Sequence, residues 1–303
     1  MKAAIYFNEL QPLLYGYYIC KGVIFLHRKI SAAVFTVLTA MFMCGCTSDK
    51  NTVGQSAGHN DRGGVTPAET AFLTDGKEKV CYGQGYETDS DNRPVGAIQA
   101  QEKYGSYGGR FIFGKDDKTI RLTFDEGYEN GCTGKILDIL KEKKVTATFY
   151  VTLDYVKSSP ELVQRMINEG HEVGNHSCTH PSLPDISDDM VFEEIHGLET
   201  YISENFGGYK TVTMRPPRGE FSVRTLRIAK NMGYDTVLWS FAYNDWNTDA
   251  QPDRDTAYRR ITSATHNGAV YLLHAVSETN TAILPDVIDY WLDNGYTVKS
   301  ISG

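Results

Sequence analysis

Residues 119–151 read TIRLTFDEGYENGCTGKILDILKEKKVTATFYV. Thr119–Phe124 and Ala147–Val151 are short β-branched and apolar runs that read as strands, and Thr133–Lys143 between them reads as a helix. A strand, a helix and a second strand in so short a stretch make one βαβ unit, whose strands lie parallel with a right-handed crossover. The alternation continues to the end of the chain. Helices are expected over Pro160–Glu169, Asp188–Asn205, Ser222–Met232, Asp253–Ala264 and Ala282–Asn294, and strands over His171–Gly174, Val212–Met214, Thr236–Ser240, Ala269–Leu273 and Thr297–Ser300. Seven strands separated by helices predict an α/β protein on one parallel sheet, closed as a barrel or wound open. In both arrangements chemistry gathers where strands end.

Upstream of this pattern the character differs. His27, Arg28 and Lys29 precede an uncharged apolar run of 14 residues, Ile30–Met43, which is followed by Cys44-Gly45-Cys46 and a polar stretch. That run is short for a hydrocarbon core of ~30 Å and suits the apolar region of a signal peptide. Gly45 before Cys46 resembles a bacterial lipoprotein cleavage box, so export to the outer face of the cytoplasmic membrane with lipid on Cys46 is expected. Residues 1–46 are therefore set apart from the fold, with residues 1–25 read as lying upstream of the true start. Residues 47–94, rich in Gly, Ser, Thr, Asn and Asp without a sustained period, read as a tether, and residues 95–303 as the folded domain.

The net charge of -8 leaves no broad basic field, so a phosphate-neutralising nucleic-acid surface is not expected. Of the six cysteines, only Cys81, Cys132 and Cys178 fall outside the N-terminal segment, and none shows zinc-knuckle spacing. A monomer is expected, with the membrane reached only through the N-terminal anchor.

Polar residues recur after the strands. Asp125 and Glu126 follow the first, His176 and His180 the third, Arg215 the fourth, Asp245 and Trp246 the fifth and His274 the sixth. Such residues at five strand ends converge on one mouth. Two histidines four apart can grip a metal, although Pro181 directly after His180 makes the stretch a loop or short turn rather than a helix interior. A carboxylate from another strand end then completes three protein ligands and leaves an open position, as in catalytic metal sites. Cys178, between the histidines, reads as a small filler.

These residues fall in ordered motifs: Thr123-Phe124-Asp125-Glu126-Gly127, His176-Ser177-Cys178-Thr179-His180, Arg215-Pro216-Pro217-Arg218-Gly219, Asp245-Trp246 and Leu272-Leu273-His274. From about Thr119 onward the chain resembles the polysaccharide deacetylase domain of the family 4 carbohydrate esterases. That resemblance implies a distorted (β/α) barrel of about seven strands, a divalent metal, zinc or cobalt among the options, and removal of acetyl groups from a glycan. It implies Asp125 as general base, His176, His180 and Glu126 as metal ligands, and His274 as general acid. Arg215 braces the base, and Asp245 keeps the acid charged. The usual aspartate stands as Glu126 here, and Ala242 replaces the first aspartate of the fourth motif.

The chemistry requires these residue types on its own terms. An acetamide is a poor electrophile and water a poor nucleophile, so a Lewis acid and a base must act together. The oxyanion needs donors worth about 3–4 kcal/mol each. The metal and a backbone N–H near Arg218 are candidates. The amine leaves only when protonated, which requires an acid across from the base. The motifs further resemble the branch acting on muramic acid on the way to the δ-lactam of bacterial spore cortex. In that branch Arg218 would meet the lactyl carboxylate, with Tyr128 and Trp246 as further substrate contacts on a peptidoglycan strand. An enzyme acting on N-acetylglucosamine or on O-acetyl groups, and a catalytically decayed carbohydrate-binding protein, are the alternatives.

Overall fold

The structure, a computed structural model, describes residues 76–303. The expected signal segment, Cys46 and residues 47–75 of the expected tether lie outside the described residues.

The sheet is built around β3 (Thr119–Glu126). Along one side runs β9 (Ala269–His274), parallel and in register from Ile120 opposite Ala269 to Asp125 opposite His274. Along the other side, β10 (Thr297–Lys299) covers the start of β3 and β4 (Thr148–Val151) covers its end. The order then continues through β5 (Glu172–Asn175), β6 (Thr213–Met214), β8 (Asp235–Val237) and β2 (Gly109–Arg110), every pair parallel. The chain beyond β8 then meets β9: Phe241 bridges Tyr271, and the Leu272 N–H donates to the Phe241 carbonyl at 2.9 Å. The sheet therefore curls into the distorted barrel. Eight strands make it up rather than seven, because β2 has two residues and is too short to carry a period.

Alternation along each strand separates two environments. Phe124 stacks on Phe149 at 5.2 Å in the layer between sheet and helices, with Ile136, Leu140 and Trp291 around them. Complete burial of each such side chain stabilises the fold by roughly 1.5–3 kcal/mol. Tyr150, Val237 and Val270 face the other way and fill the barrel. Space for Tyr150 comes from its neighbour in register, Gly174, where a Cβ would lie 2.4 Å from the Tyr150 ring.

The helices form where expected, α2 over Thr133–Lys143 and α5 over Asp188–Asn205. Between them α3 (Leu153–Ser158) and α4 (Pro160–Asn168) follow β4. Later come α6 (Val223–Asn231), capped by Ser222, and α7 (Arg254–Ser263), capped by Asp253. The last helix, α8 (Glu278–Asp293), begins a turn before the expected Ala282, because Ser277 accepts the Asn280 N–H at 3.0 Å and caps it there.

The folded part also begins earlier than the expected Val95. β1 (Val80–Cys81) pairs antiparallel with β7 (Glu220–Phe221), and the Tyr82 hydroxyl donates to the Trp239 carbonyl at 2.7 Å. With α1 (Val95–Tyr104), this segment buries a second core of Ala97, Tyr104, Phe111, Phe221, Leu226 and Leu238. Residues 76–94 are thus structural rather than tether. The partners of β1 and Tyr82 lie more than a hundred residues away, and local composition does not show them.

Candidate active site

Asp125 ends the inward-facing row of β3, at the mouth. Its carboxylate accepts Arg215 Nη1 at 2.7 Å. Arg215 is itself fully buried: Nε donates to the Val237 carbonyl at 3.1 Å, Nη2 to the Leu238 carbonyl at 3.2 Å, and the guanidinium lies 4.3 Å from the Tyr150 ring. Burial alone would raise the Asp125 carboxyl, but the Arg215 charge, aided by His176 and His274, overrides it and holds the group below its ordinary value. Asp125 is therefore an ionised carboxylate at neutral pH.

His176 and His180 face each other edge to face, ring centres 4.9 Å apart. A tight turn aims both, with Ser177 at φ 68° and His180 at φ 58°. The Asn175 side chain accepts the Ser177 N–H at 2.9 Å, and the Ser177 hydroxyl accepts the His180 N–H at 3.1 Å. Two left-handed non-glycine residues cost about 1–3 kcal/mol each, which these bonds offset. The Arg215 carbonyl lies 2.8 Å from Nδ1 of His176 and can only accept, so the proton is on Nδ1. The Nε2 lone pair then faces the second Asp125 oxygen at 3.6 Å. Two acceptors so placed repel unless a cation or its bound water lies between them. Burial lowers both imidazoles, His180 to about 4, so each offers a free lone pair at neutral pH. The histidine pair beside Asp125 thus fits a divalent ion.

Glu126 does not join it. One residue along the strand from Asp125, it faces the opposite layer, wholly buried, and the Thr133 hydroxyl lies 3.4 Å from both its oxygens. Burial, with the Glu129 charge adding, pushes its carboxyl well above the ordinary range. The expected third ligand is corrected accordingly: strand alternation turns position 126 away, and among the described residues no three His, Cys, Asp or Glu side chains form a metal-holding group. Cys178 is not a ligand either. Its sulfur packs against Gly197, and burial raises the thiol to about 11.

Across the mouth, His274 lies beside Asp125 in register. Asp245, with no exposed surface, accepts His274 Nδ1 at 2.7 Å through one oxygen. Its other oxygen accepts the His274 N–H at 2.8 Å and the Asn280 amide at 2.6 Å. Burial pulls the His274 imidazole down, and the Asp245 charge more than compensates, leaving it above its ordinary value. Asn280 in turn accepts the Tyr243 hydroxyl. Neither Asn280 nor Tyr243 was legible as part of the site, since a polar residue in the first turn of a helix carries no distinguishing signal.

Arg218 stands on the rim next to His180, exposed and left-handed at φ 60°. Gly219 follows at φ 66°, where a Cβ would come within 2.6 Å of the Trp239 ring, so the turn requires glycine. Among the described residues Arg218 forms no ion pair within 4.0 Å, unlike Arg215 or Arg224. Tyr128 and Trp246, 53% and 40% exposed, stand on the loops after Asp125 and Asp245 and supply apolar surface to the rim.

A family model for polysaccharide deacetylases matches residues 114–237. The chain is 43% identical over 200 residues to the peptidoglycan-N-acetylmuramic acid deacetylase of Bacillus subtilis, covering 66% of this chain and 75% of that protein. The chain belongs to the polysaccharide deacetylase family. A solved family 4 carbohydrate esterase from Bacillus subtilis superposes at a TM-score of 0.71 with 39% identity, covering 75% of this chain and 96% of that one. Another, from Bacillus anthracis, superposes at 0.62 with 38% identity, covering 75% and 95%.

As a deacetylase the site divides its labour by environment. Asp125, held ionised by Arg215, is placed to accept a proton, and His274, held charged by Asp245, is placed across the mouth to give one. Deacetylation in this family is metal-dependent.

Proposed function

We propose that this deacetylase hydrolyses the N-acetyl group of N-acetylmuramic acid in peptidoglycan strands freed of stem peptide. Arg218 carries the proposal. An exposed guanidinium without a carboxylate partner among the described residues, beside the histidine pair, suits a sugar with an anion next to its acetamide. N-acetylmuramic acid has one in its lactyl group, which is free only when the peptide has gone, and N-acetylglucosamine has none. The similarity to the Bacillus subtilis muramic acid deacetylase agrees with this reading.

In this proposal a divalent metal, zinc first among the options, would be held by His176 and His180 and would supply Lewis-acid chemistry for attack of water on the acetyl carbonyl. Asp125 and His274 move the protons as above, and Tyr128 and Trp246 flank the sugar. The deciding experiment measures acetate released by purified protein, with and without chelator, from stripped muramyl glycan, intact peptidoglycan and N-acetylglucosamine oligomers. Equal release from the muramyl glycan and the oligomers would reject the muramic acid assignment and leave the deacetylase intact.

The enzyme is further proposed to work at the outer face of the cytoplasmic membrane, anchored through Cys46, on the basic-apolar-cysteine order of residues 27–46. An acylated cysteine anchors through about 0.8 kcal/mol per buried CH₂. Cys46→Ala should release the protein from membranes, and unchanged fractionation would exclude lipidation as the anchor.

A further inference from the structure

Two cavities of about 540 and 520 Å³ adjoin on the flank of the barrel and share Gln84, Gly85, Tyr86, Ala242 and Arg260. Together they form one groove, with the loop around Gly83–Pro94 as one wall, the C-terminal half of α7 as the other and Phe241–Asn244 as the floor. In the chain the floor is followed directly by Asp245, which orients His274.

Its chemistry is not that of an ordinary surface. Tyr86 is 96% exposed, on a braced loop: Gln84 donates to the Ala242 carbonyl at 3.0 Å and accepts Trp239 Nε1 at 2.9 Å, while Asp89 and Arg93 close the turn beyond through bonds of 2.9 Å. A large ring held in water by a fixed loop offers a flat face for the C–H side of a pyranose. In the same groove, the exposed Arg260 lies 5.5 Å from the Tyr243 ring, and among the described residues it has no carboxylate within ion-pair distance. An aromatic platform and a cation without a carboxylate partner among the described residues, lining one groove, match a sugar that bears a carboxylate.

We infer that this groove is a second saccharide subsite, which holds an acidic sugar of the same glycan strand beyond the residue being deacetylated, with Arg260 reading its carboxylate and Tyr86 its ring. The inference rests on the muramic acid reading, since a stripped peptidoglycan strand, in which N-acetylmuramic acid alternates with N-acetylglucosamine, repeats the anion at every second sugar. It gives the enzyme a preference for long strands that chemistry at the acetamide alone does not explain.

The test compares stripped muramyl glycan of more than ten repeats with the tetrasaccharide. For wild type the KM for the tetrasaccharide should exceed that for long strands, and Arg260→Gln and Tyr86→Ala should each shrink this ratio by about threefold to tenfold. Inactive Asp125→Asn protein, titrated calorimetrically with the long strands, should lose affinity by a similar factor on adding Arg260→Gln. A ratio and an affinity unmoved by both substitutions overturn the subsite. Failure of the muramic acid reading shows separately, as equal wild-type activity on the tetrasaccharide and on N-acetylglucosamine oligomers, and the calorimetric comparison still decides the groove.

Discussion

Arg215 serves two partners at once: its carbonyl lies 2.8 Å from Nδ1 of His176 and its guanidinium 2.7 Å from Asp125. One buried residue therefore fixes the imidazole tautomer and the charge of the Asp125 carboxylate. Because the first contact is made by backbone, a substitution at 215 separates the two roles.

Arg215→Gln should retain the His176 tautomer but leave Asp125 buried without its cation, at a cost of roughly 3–5 kcal/mol at pH 7. The folded Asp125 carboxyl lies below its ordinary 3.8, so its contribution is fully present above that value and is lost as pH falls through the lower folded value. In the variant, burial raises the carboxyl instead. Denaturant unfolding should then show the wild-type advantage shrinking steadily as pH falls from 7 toward 3. A gap independent of pH would mean that Arg215 stabilises by packing alone.

The His274 imidazole is raised, so its contribution to stability is fully present below the ordinary 6.5 and is lost as pH rises through the folded value. Asp245→Asn removes the charge responsible while burial remains, so the alkaline limb of the kcat profile should move to lower pH. Asn280→Ala keeps the charge and loosens its geometry. Its kcat should fall about tenfold without the alkaline limb moving down, in line with the effect of a positioned acid. If both variants move the limb equally, Asn280 tunes the charge rather than the position.

Glu126 offers a test of strand alternation. Glu126→Gln keeps the shape and removes only the possibility of a charge, so zinc and cobalt affinity by calorimetry should stay within about twofold, whereas His176→Ala should lose the site. Loss beyond about tenfold in Glu126→Gln, the range found for disturbed metal ligation, would mean that the side chain swings out to the ion.

The elements legible in the sequence are those whose signal is local. α2 and α5 were read to the residue, and Asp125, His176, Arg215 and His274 stand at strand ends because parallel strands finish at one mouth. β1 and β2, of two residues each, owe their existence to partners at Glu220–Phe221 and Asp235–Val237. Asn280 and Tyr243 act through a buried carboxylate 35 residues from Asn280 in the chain. Glu126 was misplaced for a different reason. Its motif position suggested a ligand, but the alternation of β3, already readable from Ile120, Leu122 and Phe124 on one face, places it with them.

In the proposed function Arg218 selects the substrate. A charge-assisted pair with the lactyl carboxylate contributes about 1.5–3 kcal/mol, roughly a ten- to hundredfold preference over a sugar without one. Arg218→Ala should therefore lower kcat/KM on stripped muramyl glycan by that factor and change activity on chitin oligomers little. Arg218→Lys should recover only part of the loss, since an ammonium keeps the charge but not the planar fork. Asp125→Asn, which removes the base, should abolish both activities and so separates loss of recognition from loss of chemistry. Because Arg218 sits in a left-handed turn on the rim and packs no core, unfolding of Arg218→Ala should match wild type. An equal drop on both substrates with unchanged stability would place Arg218 at the oxyanion instead of the lactyl group, and the muramic acid preference would have to come from elsewhere on the rim.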